Sequence, residues 1–130
     1  MGANRVRRIP ADERVEGPPT PGMIREQAVD SERMWAGVLR TEPGAVSGWH
    51  HHADYESSIY VLSGVVRMEF GPGGAETFDA LPGDFVFVPP SAIHRESNPT
   101  GEPADAVVVR SGSGESIVNV EGPGAEDVSG

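Results

Sequence analysis

The chain has 130 residues, with 20 acidic side chains against 10 arginines, no lysine, no cysteine and a formal net charge of −10. That is sequence for one domain, and it excludes disulfides, thiolate metal sites, a cysteine nucleophile and lysine Schiff-base chemistry. A chain this acidic is expected to bind neither nucleic acid nor a membrane surface, because both need Lys and Arg to meet phosphate.

Arg5, Arg7 and Arg8 are not followed by an apolar stretch, so the N-terminus does not read as a secretory signal. No apolar run approaches the roughly 20 residues that span a bilayer. The absence of cysteine is compatible with a cytoplasmic location, which is the expectation taken. Residues 1–32 are polar and Pro-rich around Gly17–Gly22, which predicts an N-terminal arm with short β pieces rather than a helix.

From Arg33 the pattern becomes β-type. Met34–Thr41 reads as a strand closed by Glu42-Pro43-Gly44, Val46–His52 as the next, and Ala53–Tyr55 as a turn. Ser58–Phe70 is the longest strand-like run, interrupted by Gly64 and stopped by Gly71-Pro72-Gly73-Gly74. Glu76–Ala80, Phe85–Val88, Ala92–Ser97 and Ala104–Arg110 follow, with Ser116–Val120 as a weaker last strand. Strands at short regular spacing with Gly/Pro turns predict an all-β sandwich or barrel over 33–121. The acidic, Gly-rich tail 122–130 is expected to be disordered.

The chemistry concentrates in Trp49-His50-His51-His52 with Glu56 four residues on, and in His94 at the end of a second apolar strand. Side chains at i and i+2 of a strand share a face, so His50 and His52 reach one point while His51 faces the other way. Imidazoles plus a carboxylate suit a divalent transition metal: iron, manganese, nickel or zinc. Gly71-Pro-Gly-Gly lacks the Lys and helix of a phosphate loop. Ser57 and Ser58 near His52 carry no nucleophile-elbow signature.

Two segments resemble the paired motifs of the cupin superfamily. In the first, Gly44 is followed after five residues by His50-x-His52, then Glu56 and Gly64; in the second, Gly83 is followed after five residues by Pro89-Pro90-Ser91, then His94 and Asn98. The resemblance implies a double-stranded β-helix, a jelly-roll β-barrel holding a metal on His50, His52, Glu56 and His94. Two positions depart from the pattern. Seven residues rather than six separate Glu56 from Gly64, so either a bulge aims Glu56 inward or Ser57 takes the glutamate's place; the expectation taken is the bulge. Ser91 also stands where the motif has Gly.

Such a site implies a metal-dependent enzyme of dioxygenase, isomerase or hydrolase type acting on a small organic molecule. The alternative is a non-catalytic module that binds or senses a small molecule, with a structural metal or none. Tyr60 and Glu96 are the candidate catalytic side chains, Glu96 because it shares the strand parity of His94. Asn98 is expected to fix a turn. By resemblance, the protein is expected to form a homodimer.

Overall fold

The computed structural model describes residues 4–112 and 117–124. The described residues form strands β1 (Val15–Glu16), β2 (Met23–Asp30), β3 (Met34–Thr41), β4 (His50–His51), β5 (Glu56–Ser63), β6 (Val66–Phe70), β7 (Glu76–Ala80), β8 (Phe85–Val88), β9 (His94–Ser97), β10 (Ala104–Ser111) and β11 (Val118–Asn119). One sheet has six strands in the order β1-β2-β3-β10-β5-β8, and the other five in the order β11-β4-β9-β6-β7. All the pairings are antiparallel. β10 lies between β3 and β5, and β9 between β4 and β6, so the chain crosses repeatedly between sheets. This is the jelly-roll arrangement that the resemblance to the cupin motifs implies.

Strands β3, β7 and β8 occupy the residues that the alternation indicates. The long run after Glu56 divides at Gly64, whose φ is +75°. A Cβ there would lie 2.6 Å from the Pro103 carbonyl oxygen, so the turn requires glycine on two counts.

Two segments differ from expectation. Of Val46–His52, only His50–His51 is a strand; Val46 makes a single bridge to Ser97. Between them Ser47 donates its backbone N–H to the Glu96 carbonyl and its hydroxyl to the Gly48 carbonyl, replacing a regular ladder. The Pro-rich N-terminal segment contributes the eight-residue β2, paired along β3 and continuous with the six-stranded sheet. Residues 125–130 of the acidic tail lie outside the described residues.

The core sits between the sheets. It joins Met23 and Leu39 to Ile59, Val61, Met68, Val86, Val88, Ala106 and Val108. Period-2 alternation explains it: β10 buries Ala104, Ala106, Val108 and Arg110 while Asp105, Val107 and Val109 are less covered. Along each strand the inner row changes from apolar to polar. Val61 and Ile59 give way to Ser57 on β5, and Val108 gives way to Arg110 on β10. The register pairs Arg110 with Ser57 on one side and Trp35 on the other, so one end of the interior is polar on β5 and β10 with the Trp35 ring beside it. Among the described residues, no helix is long and apolar enough to cross a membrane.

Candidate metal centre

The centre is built on a cross-strand pair. β4 meets β9 at His50 opposite His94. His52 follows on the same side as His50, just before the turn at Ala53. One ring nitrogen from each of His50, His52 and His94 falls within 4.8 Å of the others, and all three residues are buried. Ring centroids are 4.4 Å apart for His50–His94, 5.0 Å for His50–His52 and 5.2 Å for His52–His94.

Two of the tautomers follow from their partners. His50 Nδ1 lies 2.8 Å from the Gly48 carbonyl oxygen and His94 Nδ1 lies 2.9 Å from that of Ala92. A carbonyl only accepts, so each Nδ1 carries the proton and donates it. In the neutral ring Nε2 then carries a bare lone pair, and among the described residues that buried atom has no hydrogen-bond partner in either histidine. An imidazole oriented by an Nδ1–H···O=C bond with Nε2 facing its neighbours has the posture of a metal ligand. Burial pulls the His94 pKa down, against the opposing pull of Glu96. The ring is therefore disposed to be neutral, as ligation requires.

Glu56, the expected fourth ligand, is not brought to the cluster. It is exposed, and the neighbouring Ser57 is the buried residue. The β5–β10 register is regular from Glu56 to Val61, and its one shift comes at the far end, between Asp105 and Ala106. With no bulge near Glu56, alternation sends Ser57, Ile59 and Val61 inward and Glu56, Ser58 and Tyr60 outward. Ser57 Oγ is buried without a partner. The same alternation turns Tyr60 to the outer face, where its ring packs against Phe85 at 4.8 Å between centroids.

A carboxylate does enter the centre, from the other motif. Glu96 shares the inner face of β9 with His94, is 6% exposed, and sets Oε1 3.6 Å from His50 Nε2. Burial pushes its carboxyl up, while the neighbouring imidazoles, when protonated, and the Arg25 guanidinium pull it below its ordinary value. Ser47 secures the backbone, its hydroxyl accepting from Glu96 N–H at 3.0 Å. Arg95 points outward into a two-point pair with Glu69, its guanidinium 4.5 Å over Trp49.

Other expectations are met locally. His51 is half-buried on the opposite side, where Nδ1 accepts from Ala53 N–H at 3.0 Å. Asn98 is 1% exposed and ties its turn together: Nδ2 donates to the Thr41 and Glu102 carbonyls, and Oδ1 accepts from Thr100. Its backbone bonds to Gly44 and Ala45, so the end of the second motif holds the start of the first.

Sequence reasoning missed Arg25 and Arg110, each 7% exposed. Arg110 carried a readable signal, since it continues the parity of Ala104, Ala106 and Val108. Arg25 did not, because its segment showed no strand pattern.

The model of the family described as "Cupin domain" matches residues 37–110. The chain belongs to the cupin family. Among solved structures, a conserved double-stranded β-helix protein of uncharacterised function from Klebsiella pneumoniae superposes with a TM-score of 0.73 at 21% identity, covering 90% of this chain and 99% of that one. The polyketide cyclase RemF from Streptomyces resistomycificus gives a TM-score of 0.74 at 20% identity, covering 89% and 86%. Oxalate decarboxylase from Bacillus subtilis, described for its Mn(II) centres, gives 0.68 at 25% identity; the match covers 78% of this cupin but 29% of that chain. Comparison with curated protein sequences found no match.

Proposed function

We propose that this cupin is a metal-dependent enzyme acting on a small organic molecule, with His50, His52 and His94 as imidazole ligands and Glu96 as the carboxylate. The observation that carries this reading is the pair of buried, unpartnered Nε2 atoms on His50 and His94 inside a three-histidine cluster. The donor set of nitrogen and carboxylate oxygen suits iron, manganese, nickel or zinc. When bound, such an ion supplies Lewis-acid or redox chemistry, which fits an isomerase, hydrolase or dioxygenase. The chain's own residues do the holding. Gly48 and Ala92 orient two rings and Ser47 fixes Glu96, while a cavity of about 90 Å³ lined by Met68, Phe70, Val88 and Ala92 reaches His94.

A second reading is favoured by Ser57, which stands inward where the family motif has glutamate and offers a weaker donor. In that reading the barrel binds or senses a small molecule without catalysis, around a structural metal or none. The absence of cysteine suits a cytoplasmic setting in either case.

Elemental analysis of untagged protein tests the proposal. About one iron, manganese, nickel or zinc per chain, lost in His50→Ala, supports the metal centre. Retention of a water position that exchanges on the bound metal, read by water-proton relaxation after loading with manganese, supports catalysis over a closed structural site. No metal after incubation with each ion would overturn the proposal in favour of the second reading.

A further inference from the structure

Six of the ten arginines fall into two contrasting environments. On the surface, Arg14, Arg40, Arg67 and Arg95 each meet a carboxylate at 2.7–3.0 Å. Arg25 and Arg110 are buried, and among the described residues neither has a carboxylate within salt-bridge reach. Arg25 donates to Thr20 Oγ1 at 2.8 Å. The Arg110 guanidinium lies 4.8 Å over the Trp35 ring, and its Nε is buried with no partner. A buried cation with no paired carboxylate is costly, so a bound anion is the ordinary remedy.

Both arginines face the imidazole cluster from the opposite sheet. Arg110 is the inner residue in register with Ser57, the position where the family motif has its glutamate. Arg25 and His50 line a single cavity of about 40 Å³ together with Ser47 and Asn119. The charges of Arg25 and Arg110 both reach Glu96, the buried carboxylate of this interior. Two guanidinium groups against one carboxylate leave an excess of one positive charge, and a divalent ion would add to it. This excess lies inside a protein whose net charge is −10.

We propose that the interior is a receptor for a small organic carboxylate, with Arg110 and Arg25 binding the carboxylate group of the molecule whose reacting end lies at the imidazole cluster. Guanidinium is suited to this by its planar fork of donors. The narrow space beside Arg25 admits a group of carboxylate size. The inference rests on the proposed metal reading only for the position of the reacting end; the arginine pair binds the anion whether or not a metal is present.

Malonate, its neutral diamide and inorganic phosphate are the probes, titrated calorimetrically into the full chain as purified, with metal content measured on the same samples. Malonate is expected to bind at least about tenfold more tightly than the diamide, and Arg110→Met to weaken malonate at least about tenfold while leaving metal content unchanged. Arg25→Met and Arg110→Lys are read alongside, so that a folding failure of one variant, seen by circular dichroism, does not end the test. An affinity in Arg110→Met and Arg25→Met equal to that of the parent overturns the proposal, and does so without touching the metal reading. Phosphate binding more tightly than malonate overturns the assignment to a carboxylate. Metal-free protein that still binds malonate through Arg110 supports this inference while counting against the metal centre.

Discussion

His50 Nε2 and Glu96 Oε1 face each other across 3.6 Å with no hydrogen bond between them. The Nδ1 proton of His50 is committed to the Gly48 carbonyl. Two lone pairs held at that separation in a buried site repel unless a cation lies with them. Glu96 is buried beside the imidazoles, whereas Glu56 is exposed on the outer face. Glu96→Gln is expected to lower metal affinity about 10- to 100-fold, the usual scale for a carboxylate lost at a metal site. Glu56→Gln, on the outer face, is expected to change it by no more than about twofold, since exposed charges are well screened. Competition against a chromophoric chelator measures both. Equal losses in the two variants would count against the arrangement.

How much of this was legible in the sequence varies by residue. The pairing of His50 with His52 was, because i, i+2 spacing is a local property, while His94 was joined to them through the resemblance to the paired cupin motifs. So was the inward parity of Glu96. The fate of Glu56 was not, because it turns on where a bulge falls. Spacing showed one residue too many before Gly64 but could not place it; the register puts it beyond Val61, leaving Ser57 inward. β2 was hidden because prolines precede it and its polar residues mask the alternation, Arg25 being buried where an apolar side chain would have signalled a strand. The outward placement of Tyr60 was not legible either, because proximity in sequence to the histidines carries no information about which face a strand residue takes.

Ser91 supplies a second prediction. It holds φ at +62°, in the left-handed region, where the family motif has Gly. Its N–H and hydroxyl both donate to the Ala53 carbonyl, at 2.8 and 3.4 Å, which offsets part of the strain. Left-handed geometry costs an L-residue about 1–2 kcal/mol, and glycine gives back some of that in unfolded-state entropy. Ser91→Gly is therefore expected to be neutral or stabilising by about 0.5–1 kcal/mol. Denaturant unfolding checks this; a clear loss of stability would mean that the hydroxyl contact outweighs the backbone strain.

A third concerns pH. Arg95 and Glu69 are cross-strand partners joined by two hydrogen bonds of 2.9 and 3.0 Å. The Arg95 hydrogen bond, working against burial, lowers the Glu69 carboxyl below its ordinary 4.5. A lowered carboxyl contributes stability that is fully present above the unfolded pKa and is lost as pH falls through the folded one. Both side chains are partly exposed, so Glu69→Gln is expected to cost only about 0.5–1 kcal/mol at pH 7. The difference from wild type should shrink below about pH 4.5 as the unfolded carboxyl protonates, and close beneath the folded value. Urea titrations at pH 7 and at stepped acidic pH read the difference directly. A gap that stays constant into acid would show that packing against Trp49, not charge, is what the substitution disturbs.

The last prediction concerns assembly. β8 is the edge of the six-stranded sheet, and its outward residues Phe85 and Phe87 are 72% and 64% exposed. Leu62 on the neighbouring β5 adds a third exposed apolar side chain at 50%. An unpaired edge carrying two phenylalanines invites association, and monomeric proteins ordinarily blunt such edges with charge. A homodimer formed by a two-fold axis along β8 would cover both rings and pair the free backbone groups. Sedimentation equilibrium at micromolar concentration is expected to show a dimer for the native chain and a monomer for the Phe85→Ser, Phe87→Ser double variant. Val86 and Val88 face the core from the same strand, and the double variant leaves them untouched, so its fold should persist by circular dichroism. A native chain that sediments as a monomer removes the homodimer from the reading, and the exposed phenylalanines would then need another partner.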